Sequence, residues 1–445
     1  MNNTYLRLLI VVLLGLALFA CSSNSSSKGT DVNPQTIRQY VGTYQWETNE
    51  FVYLQMWNEF TGGDQLVAFD ESGEVRTLYP TDDDNFFTGP GAAVSTAIES
   101  RIKFHRDSTG KIASLTWQRE GALPRMARHT NSDKSEDVRF SNGDIRLAGT
   151  LITPNAGEKH PAIILVHGSG PMNREYMLPF ARFLIRRGMS IFTYDKRGVG
   201  SSGGDWRTAS FADLAGDVIA AFKYLQTRTD IDREQVGLLG LSQAGWIMPL
   251  AAVQEKDIAF LISVSGPGIP AGETTIDHAK NEMEAQGMPA PVIGQIIRLM
   301  RLQYHYAYTG EGWEEYVAAR QTLARQIGSP PETFPGTQDD PYWQVIRRSY
   351  FFDPAPTLRQ LQIPTLGLFG ELDNNVLPEK NRAAWETAMK EGGNSDYTLR
   401  ILPKANHLML EAKFGSNREM ASLQRFVPAY FITIQEWLAK RIQGF

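Results

Sequence analysis

From Pro161 onward, short apolar runs alternate with longer stretches of helical periodicity, which confines this part of the chain to a mostly parallel sheet flanked by helices. Pro161 to Val166 reads as a buried strand, Glu175 to Arg187 as a helix closed by Gly188, and Met189 to Tyr194 as the next strand. A helix from Phe211 to Arg228 and a strand from Val236 to Leu241 follow. Further strands are predicted at Phe260 to Val264, Pro364 to Phe369 and Tyr397 to Leu402, with a last helix from Met420 to Ile442.

The preceding region has a different texture. Between Ile37 and Arg128, runs of alternating polarity such as Arg101-Ile102-Lys103-Phe104 are separated by turn signals, Asp70-Glu71-Ser72-Gly73 and Asp107-Ser108-Thr109-Gly110. The expectation is a small antiparallel sheet or barrel over residues 37–130, and Asn131 to Asp137 reads as a linker. Tyr44, Trp46, Tyr53, Trp57 and Phe60 read as its core rather than as a ligand cavity. Two units suit a chain of 445 residues, more than one hydrophobic core usually supports. A net charge of −5 offers no general attraction for polyanions, so nucleic acid is not an expected partner.

At the N-terminus, Arg7 precedes an apolar run from Leu8 to Ala20, too short for a comfortable membrane span, and residues 1–20 read as a signal segment. Leu18-Phe19-Ala20-Cys21 resembles the lipobox of bacterial lipoproteins, with an unusual Phe19, and Cys21 is the one cysteine of the chain. The resemblance implies lipidation at Cys21. With no aspartate after the cysteine, it also implies an outer-membrane address facing the periplasm. Residues 21–36, rich in serine and asparagine, read as a flexible tether. One thiol permits no intramolecular disulfide, and the seven histidines show no metal-ligand spacing. Neither a metal nor a cofactor is predicted.

Three short stretches carry the chemistry. Gly240-Leu241-Ser242-Gln243-Ala244-Gly245 places a hydroxyl between an apolar strand and a helix. Gly370-Glu371-Leu372-Asp373 places a carboxylate just beyond a strand, with Glu371 as its rival, and Ala405-Asn406-His407 places an imidazole on a loop after another. A serine hydroxyl needs a base to become a nucleophile, and that base needs an acid to fix its tautomer. In the order serine, acid, histidine, with His167-Gly168-Ser169-Gly170-Pro171 after the first long strand, the chain over residues 138–445 resembles the α/β-hydrolase superfamily. Within it, the chain is similar to bacterial esterases whose first strand ends in HGSGP. The resemblance implies Ser242 as nucleophile, Asp373 as acid, His407 as base, and the backbone amides of Ser169 and Gln243 as the oxyanion hole. His167 then has a structural role. The departure is Ala244, where the family usually has glycine. The thiol-dependent branch, which includes dienelactone hydrolases, is excluded because no second cysteine remains.

Gly198-Val199-Gly200-Ser201-Ser202-Gly203 matches a dinucleotide pattern. The longer string from Tyr194 to Ser202 instead resembles the hydrolase loop D-x-R-G-x-G-x-S, a structural turn, and Asp213 and Asp217 read as the exposed face of the following helix. Between Pro267 and Pro364 the insertion is too long for a connecting loop and is predicted to be a helical cap at about 268–356. Ile293, Ile296, Ile297 and Met300 share one helical face, which is expected to pack on the catalytic domain; Trp343, Ile346 and Tyr350 repeat the spacing, and most such residues are expected to be cap core. Met283, Met288, Tyr304 and Trp313 are candidates for an acyl pocket, which favours a small-molecule ester with a hydrophobic acyl group. Together these features predict a carboxylesterase-like serine hydrolase working through an acyl-enzyme. A serine peptidase similar to the prolyl oligopeptidase group shares the fold and triad order, but carries a β domain several times longer. A non-catalytic lipoprotein scaffold is the third reading.

Overall fold

The computed structural model describes residues 34–47, 50–60, 64–327, 333–443 and 445. The signal segment, Cys21 and most of the tether lie outside the described residues. No helix among the described residues is long and apolar enough to cross a membrane.

Eight antiparallel strands close into a barrel: β1 (Gly42–Trp46), β2 (Phe51–Trp57), β3 (Gln65–Asp70), β4 (Val75–Asp82), β5 (Asn85–Thr88), β6 (Ser100–Arg106), β7 (Ile112–Arg119) and β8 (Arg125–His129), with β8 returning to β1. Closure removes the sheet edges that would otherwise stay open. β2 is buried on both faces. Val52, Leu54 and Met56 point into the barrel core, while Tyr53 and Trp57 point out into a core shared with the second domain. The five aromatics therefore divide between two cores, with Tyr44 and Trp46 in the barrel core and Phe60 packed against the shared one.

A second sheet has the order β16-β15-β14-β13-β11-β12-β10-β9, built from β9 (Asp133–Asn142), β10 (Ile145–Pro154), β11 (His160–Val166), β12 (Ser190–Tyr194), β13 (Ile231–Leu241), β14 (Leu261–Val264), β15 (Thr365–Gly370) and β16 (Tyr397–Leu402). β12, β11 and β13 to β16 run parallel, and β9 and β10 form an antiparallel edge. Along β11 the side chains alternate between two layers. Ile163 and Leu165 face the barrel side, while Ala162, Ile164 and Val166 face the helices Phe211–Gln226 and Ala244–Gln254.

Several expectations are corrected. Asp133 to Asp137, read as linker, pair with Pro154 to Thr150 in the β9–β10 ladder. The helix expected at Glu175 to Arg187 is two 3₁₀ turns, Leu178–Phe180 and Arg182–Arg187, because Pro179 supplies no amide hydrogen to an α-helical ladder. The last helix is Pro428–Ala439. The residues before it form a 3₁₀ turn, Asn417–Ser422, and then an extended segment claimed by the barrel. Asp217 is buried, and its carboxylate takes a bidentate bond from Arg197 at 2.8 and 2.7 Å. Asp213 remains near the surface and closes a capping box with Ser210.

The insertion between β14 and β15 is helical, with Ala271–Ala285, Ala290–Thr309, Trp313–Ile327 and Tyr342–Ser349. Its apolar faces do not pack on the catalytic sheet. Ile293, Ile296, Met300, Trp343 and Ile346 enclose a core of the cap's own, which also takes in Met283 and Met288.

The segment 423–426 ties the two sheets together. Gln424 O accepts from Val75 N at 2.9 Å, Leu423 O from Ala92 N at 2.6 Å, and Phe426 N donates to Gly73 O at 2.7 Å. Gly73 is required here: its φ is 94°, and a Cβ on it would stand 2.5 Å from Phe426 O. The Phe426 ring lies among Trp57, Phe180, Tyr430 and Phe431. Phe426→Ala should cost about 3–5 kcal/mol. In urea denaturation followed by tryptophan fluorescence, the barrel and the second domain should still unfold in one transition. Two separated transitions in the parent protein would contradict this shared core.

Candidate active site

Ser242 stands at the carboxyl end of β13 with φ 56°, a left-handed backbone that costs a non-glycine residue roughly 1–2 kcal/mol. Its amide donates to Val264 O at 2.9 Å, and Gly245 N returns to Ser242 O at 2.8 Å as the helix Ala244–Gln254 begins. Two glycines make the turn possible. A Cβ at Gly240 would stand 2.4 Å from the Ala244 Cβ, and one at Gly245 would stand 2.5 Å from Gly266 Cα. This accounts for the departure at Ala244: its methyl takes the space that Gly240 leaves, and Gly245 makes the close backbone approach.

The HGSGP loop lies against the serine, since a Cβ on Gly168 would sit 3.4 Å from Ser242 Cβ. Among the described residues, neither the Ser169 nor the Gln243 backbone amide has a hydrogen-bond acceptor. His167 is buried edge-on to Tyr194 with ring centres 4.5 Å apart, and burial and the neighbouring Lys196 push it down to about 3. It is a neutral prop for this loop.

Asp373 follows β15 with a fully buried side chain. Its Oδ1 accepts from the amides of Asn375 and Val376, both at 2.8 Å, and its Oδ2 meets His407 Nδ1 at 2.8 Å. Glu371, the rival carboxylate, caps the amide of Lys404 at 2.7 Å. The His407 loop is held by Asn406 Oδ1, which accepts from Leu408 and Leu410, and by Ser265 Oγ, which donates to His407 O at 2.8 Å. Ser242 and His407 are thus fastened to adjacent residues at the end of β14, Val264 and Ser265. Asp373 and His407 are in direct contact. Among the described residues, the Ser242 hydroxyl and the His407 ring are not hydrogen-bonded to each other. Such bonds commonly tighten only when substrate is present.

Two residues near this pair escaped the sequence reading. Glu59, just past β2 of the barrel, accepts a hydrogen bond from Tyr176 OH. Burial pushes its carboxyl up to about 7, while Tyr176 and His407 pull it down. From the cap, His278 lies beside Asn374, His407 and Asp373, its Nδ1 has no partner among the described residues, and burial lowers its proton affinity. Asn281 on the same helix donates to Asn374 O at 3.2 Å. Burial also lowers the proton affinity of His407, but Asp373 outweighs it, Glu59 adds to the rise, and the net shift is upward. Nothing local marks Glu59 or His278, because their positions depend on how barrel and cap pack.

Residues 163–418 match the alpha/beta hydrolase family over more than half of the chain. The chain belongs to that family. It is a hydrolytic enzyme on the fold that the family shares. Over 331 residues it is 25% identical to Esterase EstD of Thermotoga maritima, covering 70% of this chain and 72% of that protein. It is also 32% identical over 259 residues to an uncharacterized 31.7 kDa protein of Escherichia coli, covering 57% of this chain and 85% of that one. Among solved structures, the alpha/beta hydrolase GrgF from Penicillium aligns at TM-score 0.46 with 19% identity, over 69% of this chain and 99% of that one.

Because Glu59 helps hold the proton on His407, Glu59→Gln should release it more readily. With His407 as the expected general base, which works unprotonated, activity should be lost as pH falls through the His407 value, which lies above its ordinary 6.5. In the variant the acid limb of kcat/KM should move to lower pH. An unmoved limb would remove Glu59 from the electrostatics of the site.

Proposed function

We propose that this protein cleaves small-molecule carboxylic esters through an acyl-enzyme. His407 takes the proton of Ser242 as its oxygen attacks the ester carbonyl, and the Ser169 and Gln243 amides receive the developing oxyanion. His407 then returns the proton to the leaving alcohol, and in the second half-reaction it activates water. Asp373 stays ionised and keeps the Nδ1 proton on His407. The observation that carries this reading is the buried Asp373–His407 bond at 2.8 Å, beside a serine held in a left-handed turn. The similarity to an esterase favours an ester over other hydrolysable bonds.

The apolar faces of the cap are used in its own core. The cleft that His278 borders is lined by apolar Ala279, Met300 and Phe334, by Tyr304, Tyr342 and Tyr350, and by polar Thr275 and Gln303, a lining that suits a hydrophobic acyl group. A fluorophosphonate probe should label the parent protein and fail on Ser242→Ala. Asp373→Asn should lower kcat by about 10³- to 10⁴-fold. Aryl acetates or butyrates should turn over where peptide anilides do not. Turnover of anilides alone would replace the esterase reading with a peptidase one, and absence of labelling would remove Ser242 as the nucleophile.

The same reading places the enzyme in the bacterial envelope, anchored to the outer membrane by lipid on Cys21. Radiolabelled palmitate should enter the parent protein in a bacterial host and be absent from Cys21→Ser, which should fractionate with soluble proteins. Label retained in the variant would refute the anchor.

A further inference from the structure

Behind the serine, the loop after β12 buries three consecutive charged residues, Asp195, Lys196 and Arg197. Two of them have ionic partners. Asp195 accepts from Arg174 Nη2 at 2.8 Å and from Ser201 N at 2.9 Å, and Arg197 is locked to Asp217. Lys196 differs. Its side chain is enclosed, and its Nζ donates to the carbonyl oxygen of Gly168 at 2.7 Å and to the side-chain oxygen of Gln243 at 3.2 Å. Among the described residues it forms no ion pair, and the Trp206 ring centre is 5.5 Å from Nζ.

These two acceptors are significant. The Gly168 carbonyl belongs to the same planar peptide unit as the Ser169 N–H, one of the two proposed oxyanion donors. In a trans peptide the N–H points opposite to the C=O, so fixing the carbonyl fixes the direction of the amide hydrogen. A charged donor on that carbonyl also polarises the unit and strengthens its N–H as a donor. The second acceptor is the side chain of Gln243, whose own backbone N–H is the other proposed donor. One buried amine therefore grips both halves of the oxyanion hole from behind, without touching the position a substrate would take.

We propose that Lys196 is a positioning residue for the oxyanion hole, orienting and polarising the Gly168–Ser169 peptide and anchoring Gln243. The inference rests on the Ser242 acyl-enzyme reading and extends it to the residue that prepares its electrostatics. Four groups face the amine. His167 is neutral at working pH, Asp217 is already neutralised by Arg197, Asp195 is engaged by Arg174, and Trp206 offers a ring face. Burial pulls Lys196 down to about 7, and Asp217 offsets little of that. Above this value the neutral amine keeps two N–H groups for its two acceptors but loses the charge that polarises the peptide. Oxyanion stabilisation should therefore weaken as pH rises through the neutral range.

The test is kcat and KM for an aryl acetate, normalised to sites titrated by fluorophosphonate, across neutral pH in the parent, Lys196→Met and Lys196→Arg. In Lys196→Met, kcat per titrated site should fall about 10- to 100-fold with KM within about twofold, because the interaction matters mainly in the transition state. The parent should show a basic limb near pH 7 that Lys196→Met lacks. Should Lys196→Met fail to fold, Lys196→Arg keeps a charge that does not titrate, and the basic limb should vanish there too. A merely structural lysine would change the number of titrated sites but neither kcat per site nor the shape of the profile. Unchanged kcat in Lys196→Met, or a basic limb that persists in Lys196→Arg, would overturn the proposal while leaving Ser242 labelling intact. Loss of the catalytic reading itself would instead show as a parent protein that the probe does not label.

Discussion

A serine held with positive φ at the end of a buried strand persists only because its surroundings leave it no alternative. Here the constraint is close backbone approach. β13 must pass β14 near enough for Val264 to take the Ser242 amide, the following helix must start within one residue, and Gly245 must pack against Gly266. The last of these contacts excludes a Cβ at Gly245. The strain at Ser242 is offset by a densely packed sheet whose central strands carry almost only apolar side chains. The position of Ser242 thus depends on the sheet as a whole, and the loops around it can be placed relative to a fixed point.

What the sequence disclosed follows from this dependence. Parallel strands buried on both faces read as continuous apolar runs. β11, β12, β14 and β15 accordingly lie within a residue or so of their predicted bounds. Asp373 and His407 were singled out because each stands in the short loop that follows a predicted strand, with Glu371 as a rival that position alone did not exclude. The failures have equally physical causes. Arg182, Phe183 and Leu184 have helical spacing, but Pro179 breaks the ladder before it can form. Gln424, Arg425 and Phe426 match the periodicity of the final helix, yet the barrel captures their backbone and the helix waits for Pro428. Asp217 has the pattern of an exposed helical carboxylate, but Arg197 from another loop reaches it, a partnership no local window contains.

The cap shows the same limit from another side. Ile293, Ile296 and Met300 do form one apolar stripe, and periodicity says that a stripe will be buried without saying against what. Because neighbouring cap helices supply the partner surface, the insertion brings to the candidate site a histidine and a cleft in which tyrosines stand beside Met300 and Phe334. Glu59 from the barrel and His278 from the cap both act electrostatically on His407. Both are partly or wholly withdrawn from water, so their influence on His407 is less screened than that of a surface charge.

This arrangement gives the barrel a mechanical place in the site. Its strand β4 and the turn at Gly73 hold the segment 423–426. That segment in turn bridges to Leu410 through Phe426, while Val427 N donates to Met409 O at 2.8 Å. Met409 and Leu410 belong to the loop that carries His407, and Asn406 N closes it by donating to Leu410 O at 2.9 Å. An unbroken chain of backbone hydrogen bonds therefore runs from the barrel to the residue beside His407. Buried Ala405, Asn406, Leu408, Met409 and Leu410 hold this loop from within, and in the proposed reaction a base misplaced by an ångström would lose much of its effect. The barrel wall braces the loop from outside, and its Glu59 adds charge from inside. The accessory domain and the catalytic loop are one folded unit, which is why their shared core around Phe426 is the densest aromatic contact between them.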